Sequence, residues 1–237
     1  MRHFLLFAAL LLPNLAGAET VTFSAEDGVT VTADLSRPDG DAKAVIVLFH
    51  MAGASRGEYR DIAPRLLQLG YATLAVDQRS GGAFNGVTNA TVKAAGGSGE
   101  FIDAVPDMKA AAAWARQNIA PKVAVIGSSY SAALVLVLSG RDPEFADAVM
   151  AFSPGEYFGS SNFVRDALEG AKSPIFMTAA RSEQGQWQPF AFATAAPVTP
   201  FQPNGAGRHG ATALVSADGV EYWAALEKFL AAHFPPK

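Results

Sequence analysis

Gly127, Ser129 and Ser131 stand at the junction between a strand-length apolar run ending at Ile126 and a longer apolar run from Ala132 to Leu138. The pattern G-x-S-x-S is one residue away from G-x-S-x-G, in which a sharp strand-to-helix turn lifts a serine hydroxyl above a sheet as a nucleophile. Small flanking residues are a physical requirement of that turn. It brings the helix backbone against the neighbouring strands, so a bulky side chain at 127 or 131 would clash, and Gly127 also relieves backbone crowding. Ser131 adds a hydroxymethyl group, which strains the geometry without excluding it. Serine is equally a common helix N-cap, so a capped strand-to-helix junction is the competing reading of the same residues.

A serine nucleophile needs a base for its proton, an acid to orient the base, and donors for the oxyanion. The chain has four histidines, His3, His50, His209 and His233, and seven carboxylates between Ser129 and His209. Cysteine is absent, which removes thiolate catalysis, disulfides and cysteine metal ligation as options. No metal or cofactor is called for. Lys and Arg total 18 against 22 Asp and Glu without a basic cluster, which argues against nucleic acid as a partner and leaves a small-molecule substrate as the expectation.

The elements around Ser129 are those of a sheet buried on both faces, as 50% hydrophobic and 17% charged residues imply. Residues 1–18 read as a secretory signal: Arg2 and His3, an apolar core from Phe4 to Leu12, and Ala16-Gly17-Ala18 before the cleavage point. The apolar core is short of the roughly 20 residues a membrane span needs, so the expectation is a periplasmic or secreted protein with no stable membrane insertion after cleavage. Residues 19–237 are expected to form a single domain.

Thr20–Phe23 and Val29–Leu35 alternate around Glu26-Asp-Gly28 as an antiparallel hairpin. Ala44–Phe49 reads as a central strand ending at His50, followed by a helix around Tyr59–Leu69 and a strand over Tyr71–Val76. The span 80–99, rich in Gly, Ala, Asn and Thr, reads as a long loop with little regular structure. A helix over Val105–Asn118 leads to the Ser129 junction, whose helix Gly140 is expected to cap. Strands follow at Ala148–Phe152 and Ile175–Thr178, then a helix over Gln186–Ala193, an edge strand near Pro197–Phe201 with its two prolines, and an amphipathic helix over Val220–His233. This alternation predicts an α/β fold with a mostly parallel sheet and helices on both faces, and ligands at the carboxyl ends of its strands. His50, Asp77, Ser129, Ser153 and the loop after Thr178 all fall at those ends.

Asp27-Gly-Val-Thr-Val-Thr-Ala-Asp-Leu35, Phe49-His-Met-Ala-Gly53, Val76-Asp-Gln-Arg-Ser-Gly81, the Ser129 corner, Phe152-Ser-Pro154 and Arg208-His-Gly210 together resemble the α/β-hydrolase superfamily, and within it small enzymes related to dienelactone hydrolase. The resemblance covers essentially all of residues 19–237. It departs at Ser131 and at Met51, where the family usually has Gly. It implies an α/β-hydrolase fold in which Ser129 is the nucleophile and His209, downstream in the order nucleophile, acid, base, is the base. It implies Glu183 as the acid, reached by counting from Pro174 beyond the following strand. Glu156, at the end of the preceding strand, is the alternative acid. The backbone N–H groups of Met51 and Tyr130 are implied as the oxyanion hole. His50, Met51, Tyr130, Tyr157, Phe158 and Trp187 are candidates for the pocket, and ordinary core packing is the competing reading for the last three. His233 reads as a surface residue.

The reaction expected from this set is hydrolysis of a small ester-like substrate through an acyl-enzyme on Ser129. A peptidase of the same fold and a non-catalytic exported binding protein on a hydrolase scaffold are the alternatives.

Overall fold

A computed structural model describes residues 17–235; most of the expected signal segment lies outside them. In chain order the strands are β1 (Glu19–Ser24), β2 (Thr30–Ser36), β3 (Val45–Phe49), β4 (Ala72–Asp77), β5 (Ala83–Phe84), β6 (Val87–Thr88), β7 (Val123–Ser128), β8 (Ala148–Phe152), β9 (Ile175–Thr178) and β10 (Val198–Phe201). The helices are α1 (Ala63–Gln68), α2 (Ala90–Ala94), α3 (Val105–Asn118), α4 (Tyr130–Arg141), α5 (Phe163–Leu168), α6 (Gln184–Ala191) and α7 (Gly219–His233), with 3-10 turns at Arg56–Tyr59, Phe101–Ala104, Arg181–Glu183 and Ala211–Val215.

Eight strands form one sheet in the order β1-β2-β4-β3-β7-β8-β9-β10. β1 and β2 pair antiparallel, β2 runs antiparallel to β4, and every other pair is parallel. The residues explain the order. β3, β4, β7 and β8 are buried along their whole length, as strands covered on both faces must be. β1 carries polar residues outward at the edge, and β10 at the other edge accommodates Pro200.

Two hydrophobic clusters fill the two faces. One packs α3, α4 and α6 against Val47, Val125 and Val149; the other packs α7 and the segment around Tyr59 and Leu66 against Ile46, Ile126 and Met150. α4 is apolar all round because α5 covers it. Gly140 lies inside α4, not at its end: a Cβ there would stand 1.8 Å from the Ala167 carbonyl, so its role is close approach to α5 rather than capping.

The span 80–99 is structured, contrary to the expectation of a plain loop. β5 and β6 form a hairpin whose turn residues Asn85 and Gly86 both have positive φ, 48° and 76°, the type I′ geometry that Asn-Gly favours. Asn89 then caps α2, accepting from Val92 N at 2.8 Å. The helix expected over Tyr59–Leu69 is divided into a 3-10 turn and the shorter α1, with Pro64 in the first turn of α1. Among the described residues no helix is long and apolar enough to cross a membrane.

Candidate active site

Ser129 links β7 to α4 with φ 59° and ψ −121°, a conformation that costs a non-glycine residue of order 1–3 kcal/mol and persists only where the surroundings enforce it. The enforcement is visible. Ser129 N donates to Phe152 O at 2.8 Å on β8, and Gly127 lies so close to α4 that a Cβ would meet the Ser131 carbonyl oxygen at 2.5 Å. Position 131 is less restrictive than the turn alone implies. Its hydroxyl donates to His50 O at 2.6 Å and accepts from the Gln78 amide at 2.6 Å, so the extra atoms fill a polar gap between strand ends.

The His209 ring lies in the segment after β10 and is paired through Nδ1 with Glu183 Oε1 at 2.5 Å. Glu183 follows β9 and its second oxygen accepts from Ser153 Oγ at 2.7 Å and Ala180 N at 3.2 Å. Ser153, which also has positive φ, accepts in turn from Gly210 N at 2.9 Å. With Nδ1–H given to Glu183, the free Nε2 is the proton acceptor of the ring. The next amide, Ala211 N, donates to Ser128 Oγ at 2.9 Å, which fastens the His209 segment to the residue beside Ser129.

The Glu183 hydrogen bond raises the His209 imidazole above its ordinary value against the opposing effect of burial, with the charges of Glu183 and Glu58 adding to the rise. Burial pushes the Glu183 carboxyl up, but the bonds from His209, Ser153 and Ala180 outweigh it and hold the group below its usual value.

The loop after β3 corrects one expectation. Met51 N–H, implied as an oxyanion donor, is committed to Glu58 Oε2 at 2.6 Å, and a donor already held by a buried carboxyl is not free for a reacting oxygen. Ala54 N–H is also engaged, with Met51 O. Ala52 and Gly53 N–H have no partner among the described hydrogen bonds, and Tyr130 N–H opens α4 next to Ser129.

His50 is corrected as well. It is fully buried, with no exposed surface to offer a substrate. Its Nδ1 donates to Met51 O at 2.8 Å while Nε2 accepts from Gln78 N at 3.2 Å and contacts the Asn89 amide at 3.2 Å. Burial lowers its pKa, so the ring is a neutral brace between β3, β4 and α2.

Trp187, on α6, is buried in the core, the packing alternative rather than the pocket. Tyr157 is half-buried and donates to Ser153 O at 3.0 Å. Phe158 packs on Phe163, with ring centroids 5.3 Å apart. Glu156 accepts from Val164 N and Arg165 N at 2.8 and 3.0 Å, so it serves the first turn of α5 and not His209. His233 is exposed and lies against Phe229.

Glu58, Ser128 and Gln78 are site residues that sequence reasoning missed. Ser153 was placed at the rim by its position at the end of a strand, without a role.

The sequence matches the family described as "Serine aminopeptidase, S33" over residues 40–180. Among curated proteins no sequence matches. Of the solved structures, an esterase from Pyrococcus furiosus superposes with a TM-score of 0.71 at 16% identity, covering 93% of this chain and 91% of that one. The dienelactone hydrolase of Anabaena variabilis gives 0.67 at 18% identity, covering 92% and 98%. Esterase 2 of Thermogutta terrifontis, solved as the form phosphorylated by paraoxon, gives 0.66 at 20% identity, covering 95% and 98%. The matched segment spans more than half of the chain and holds the Ser129 turn, and with an eight-stranded sheet of this order the protein belongs to the serine aminopeptidase S33 family of α/β hydrolases.

Proposed function

We propose that this protein is an exported serine hydrolase that cleaves small ester-like substrates. The observation that carries this reading is the His209–Glu183 pair at 2.5 Å, fastened by consecutive amides to Ser153 and Ser128 beside the left-handed turn at Ser129.

In the proposed reaction His209 Nε2 takes the Ser129 proton as Oγ attacks the ester carbonyl. The tetrahedral oxyanion is held by Tyr130 N–H and, because Met51 is occupied, by a free amide of Ala52 or Gly53. The imidazolium gives its proton to the leaving alcohol, and water then attacks the acyl-enzyme with His209 again as base. Each oxyanion donor contributes about 2.7–4 kcal/mol to such a transition state. Glu183 keeps the ring in the tautomer that leaves Nε2 free and stabilises its charged form.

A fluorophosphonate probe tests the assignment. Labelling of wild type that disappears in Ser129→Ala supports it; a folded wild type that resists labelling removes it. The family description names a serine aminopeptidase, which makes peptide-bond cleavage the second reading. Amino-acid p-nitroanilides turned over faster than p-nitrophenyl acetate would favour it. Export rests on the residues before Glu19, and predicts Glu19 as the first residue of protein recovered outside the cytoplasm.

A further inference from the structure

Glu58 is 2% exposed and lies at the carboxyl ends of the strands, yet no cation pairs with it among the described residues. The other buried carboxylates beside this rim are neutralised: Asp77 by Arg56 and Asp107 by Arg79. An ionisable group without such a partner is costly to bury. What surrounds Glu58 instead are neutral donors from the loop after β3 and from the end of β7. Oε2 accepts from Met51 N at 2.6 Å, and Oε1 accepts from Ser128 Oγ at 2.6 Å. Ser128 Oγ itself accepts from Ala211 N at 2.9 Å. One carboxyl thus connects the loop after β3, the residue before the nucleophile, and the segment that carries His209.

We propose that Glu58 is a positioning residue for the reaction at Ser129, a clamp that holds the oxyanion loop, the elbow and the base segment in one register. The proposal rests on the serine-hydrolase reading above. It also assigns a use to the span 80–99, because the β5–β6 hairpin fixes the turn on which Glu58 sits. A Cβ on Gly57 would meet Phe84 O at 2.2 Å, and Ser55 Oγ caps the turn while donating to Val87 O at 2.7 Å.

With Met51 N–H bound to the clamp, the two amides that follow it, those of Ala52 and Gly53, have no partner among the described hydrogen bonds. The charge of the clamp reaches the base as well: Glu58 adds to the rise of His209. The groups facing Glu58 are the His209 imidazole and the phenols of Tyr59 and Tyr130, and His209 faces Glu183 besides. Arg56, on the same turn, is held by Asp34 and Asp77.

The test uses Glu58→Ala and Glu58→Gln in the mature chain, after fluorophosphonate labelling of wild type and its loss in Ser129→Ala have established the nucleophile. Glu58→Ala should lose on the order of a hundredfold in kcat on p-nitrophenyl acetate, the scale of an ångström-size misplacement, with KM changed only about threefold. Glu58→Gln keeps an acceptor for Met51 but puts an amide donor where Glu58 accepted from Ser128, and should recover about tenfold of that loss. It also removes the charge that Glu58 takes on as the pH approaches about 7, so the acid limb of its kcat/KM profile should move to lower pH, a shift that a purely structural residue would not produce.

Wild-type kcat in both variants with the acid limb unmoved overturns the proposal. If Glu58→Ala fails to fold, the Gln variant decides alone: a kcat about tenfold below wild type supports the clamp, and a wild-type kcat with an unmoved limb refutes it. Failure of wild type to label would instead overturn the hydrolase reading, and the clamp with it.

Discussion

The Ser131 hydroxyl donates to the carbonyl of His50 across 2.6 Å, joining the first turn of α4 to the end of β3. The Gln78 amide donates to the same hydroxyl and its carbonyl oxygen accepts from His50 N, so Ser131 is one node of a buried network. Ser131→Gly would restore the smaller residue such turns usually carry, yet leave the Gln78 amide without this acceptor and His50 O without this donor. Both groups keep longer bonds, from the Gln78 amide to Tyr130 Oη at 3.2 Å and to His50 O at 3.5 Å, so each lost bond costs about 0.5–1.5 kcal/mol. Thermal melts should show Ser131→Gly less stable than wild type; a more stable variant would mean that the network contributes nothing.

Gly127→Ala makes the opposite kind of demand. Its Cβ would stand 2.5 Å from Ser131 O and 2.7 Å from Ala132 Cα, both backbone regions that a side-chain rotation cannot move. The strand and the helix must separate, and the left-handed geometry of Ser129 depends on their contact. We expect a marked loss of soluble, folded protein and, in what remains, loss of fluorophosphonate labelling. A folded Gly127→Ala protein that labels at the wild-type rate would show that the close approach is not needed.

For Glu183→Gln the sign of the pH effect follows from the same contacts. Its carboxylate is the largest cause of the raised His209 value, so removing the charge lets the imidazole lose its proton more readily. The acid limb of kcat/KM should move to lower pH, while the plateau falls on the order of 10³- to 10⁴-fold as the tautomer is lost. A limb that stays in place would assign it to another group.

Glu156→Gln separates the two candidate acids. Glu156 accepts from Val164 N and Arg165 N, so the change should weaken α5 by about 1 kcal/mol, as lost helix caps do, and leave turnover of p-nitrophenyl acetate at the wild-type level. Turnover crippled at 156 and intact in Glu183→Gln would exchange their roles.

How much of this was legible depends on the range of the interactions. β3, β7 and β8 are unbroken apolar runs, and a strand buried on both faces leaves no other pattern. The Ser129 turn is local, since Gly127 and Ser131 lie within one corner. Glu183 stands next to His209 where counting from Pro174 leads, because the strand between them has a fixed length.

Glu58 was not legible: its partners are 7, 70 and, through Ser128, 153 positions away, and nothing in Ser55-Arg-Gly-Glu58 distinguishes a clamp from a helix-start acid. The occupied Met51 amide follows from the same contact, as does the neutral His50 from its bonds to Gln78 and Asn89. The Asn85-Gly86 hairpin, by contrast, carried a local signal that the low apolar content of 80–99 obscured. α5 is short, and its burial is set by α4 rather than by its own period.

Glu58 also predicts how stability depends on pH. Burial pushes its carboxyl up from 4.5 to about 7, against the bonds from Ser128 and Met51 and the charge of His209. Between those values the folded protein keeps a proton that the unfolded chain releases. Its contribution to stability therefore falls as the pH rises from 4.5 to about 7 and is level above that. Glutamine does not titrate, so Glu58→Gln should gain in Tm relative to wild type as the pH goes from about 4.5 to above about 7. Melts of the two proteins at the ends of this interval measure the difference directly. A difference in Tm that is the same at both ends would show that the proton on Glu58 is not held more tightly in the folded state, and would remove the electrostatic half of the clamp while leaving its geometry in place.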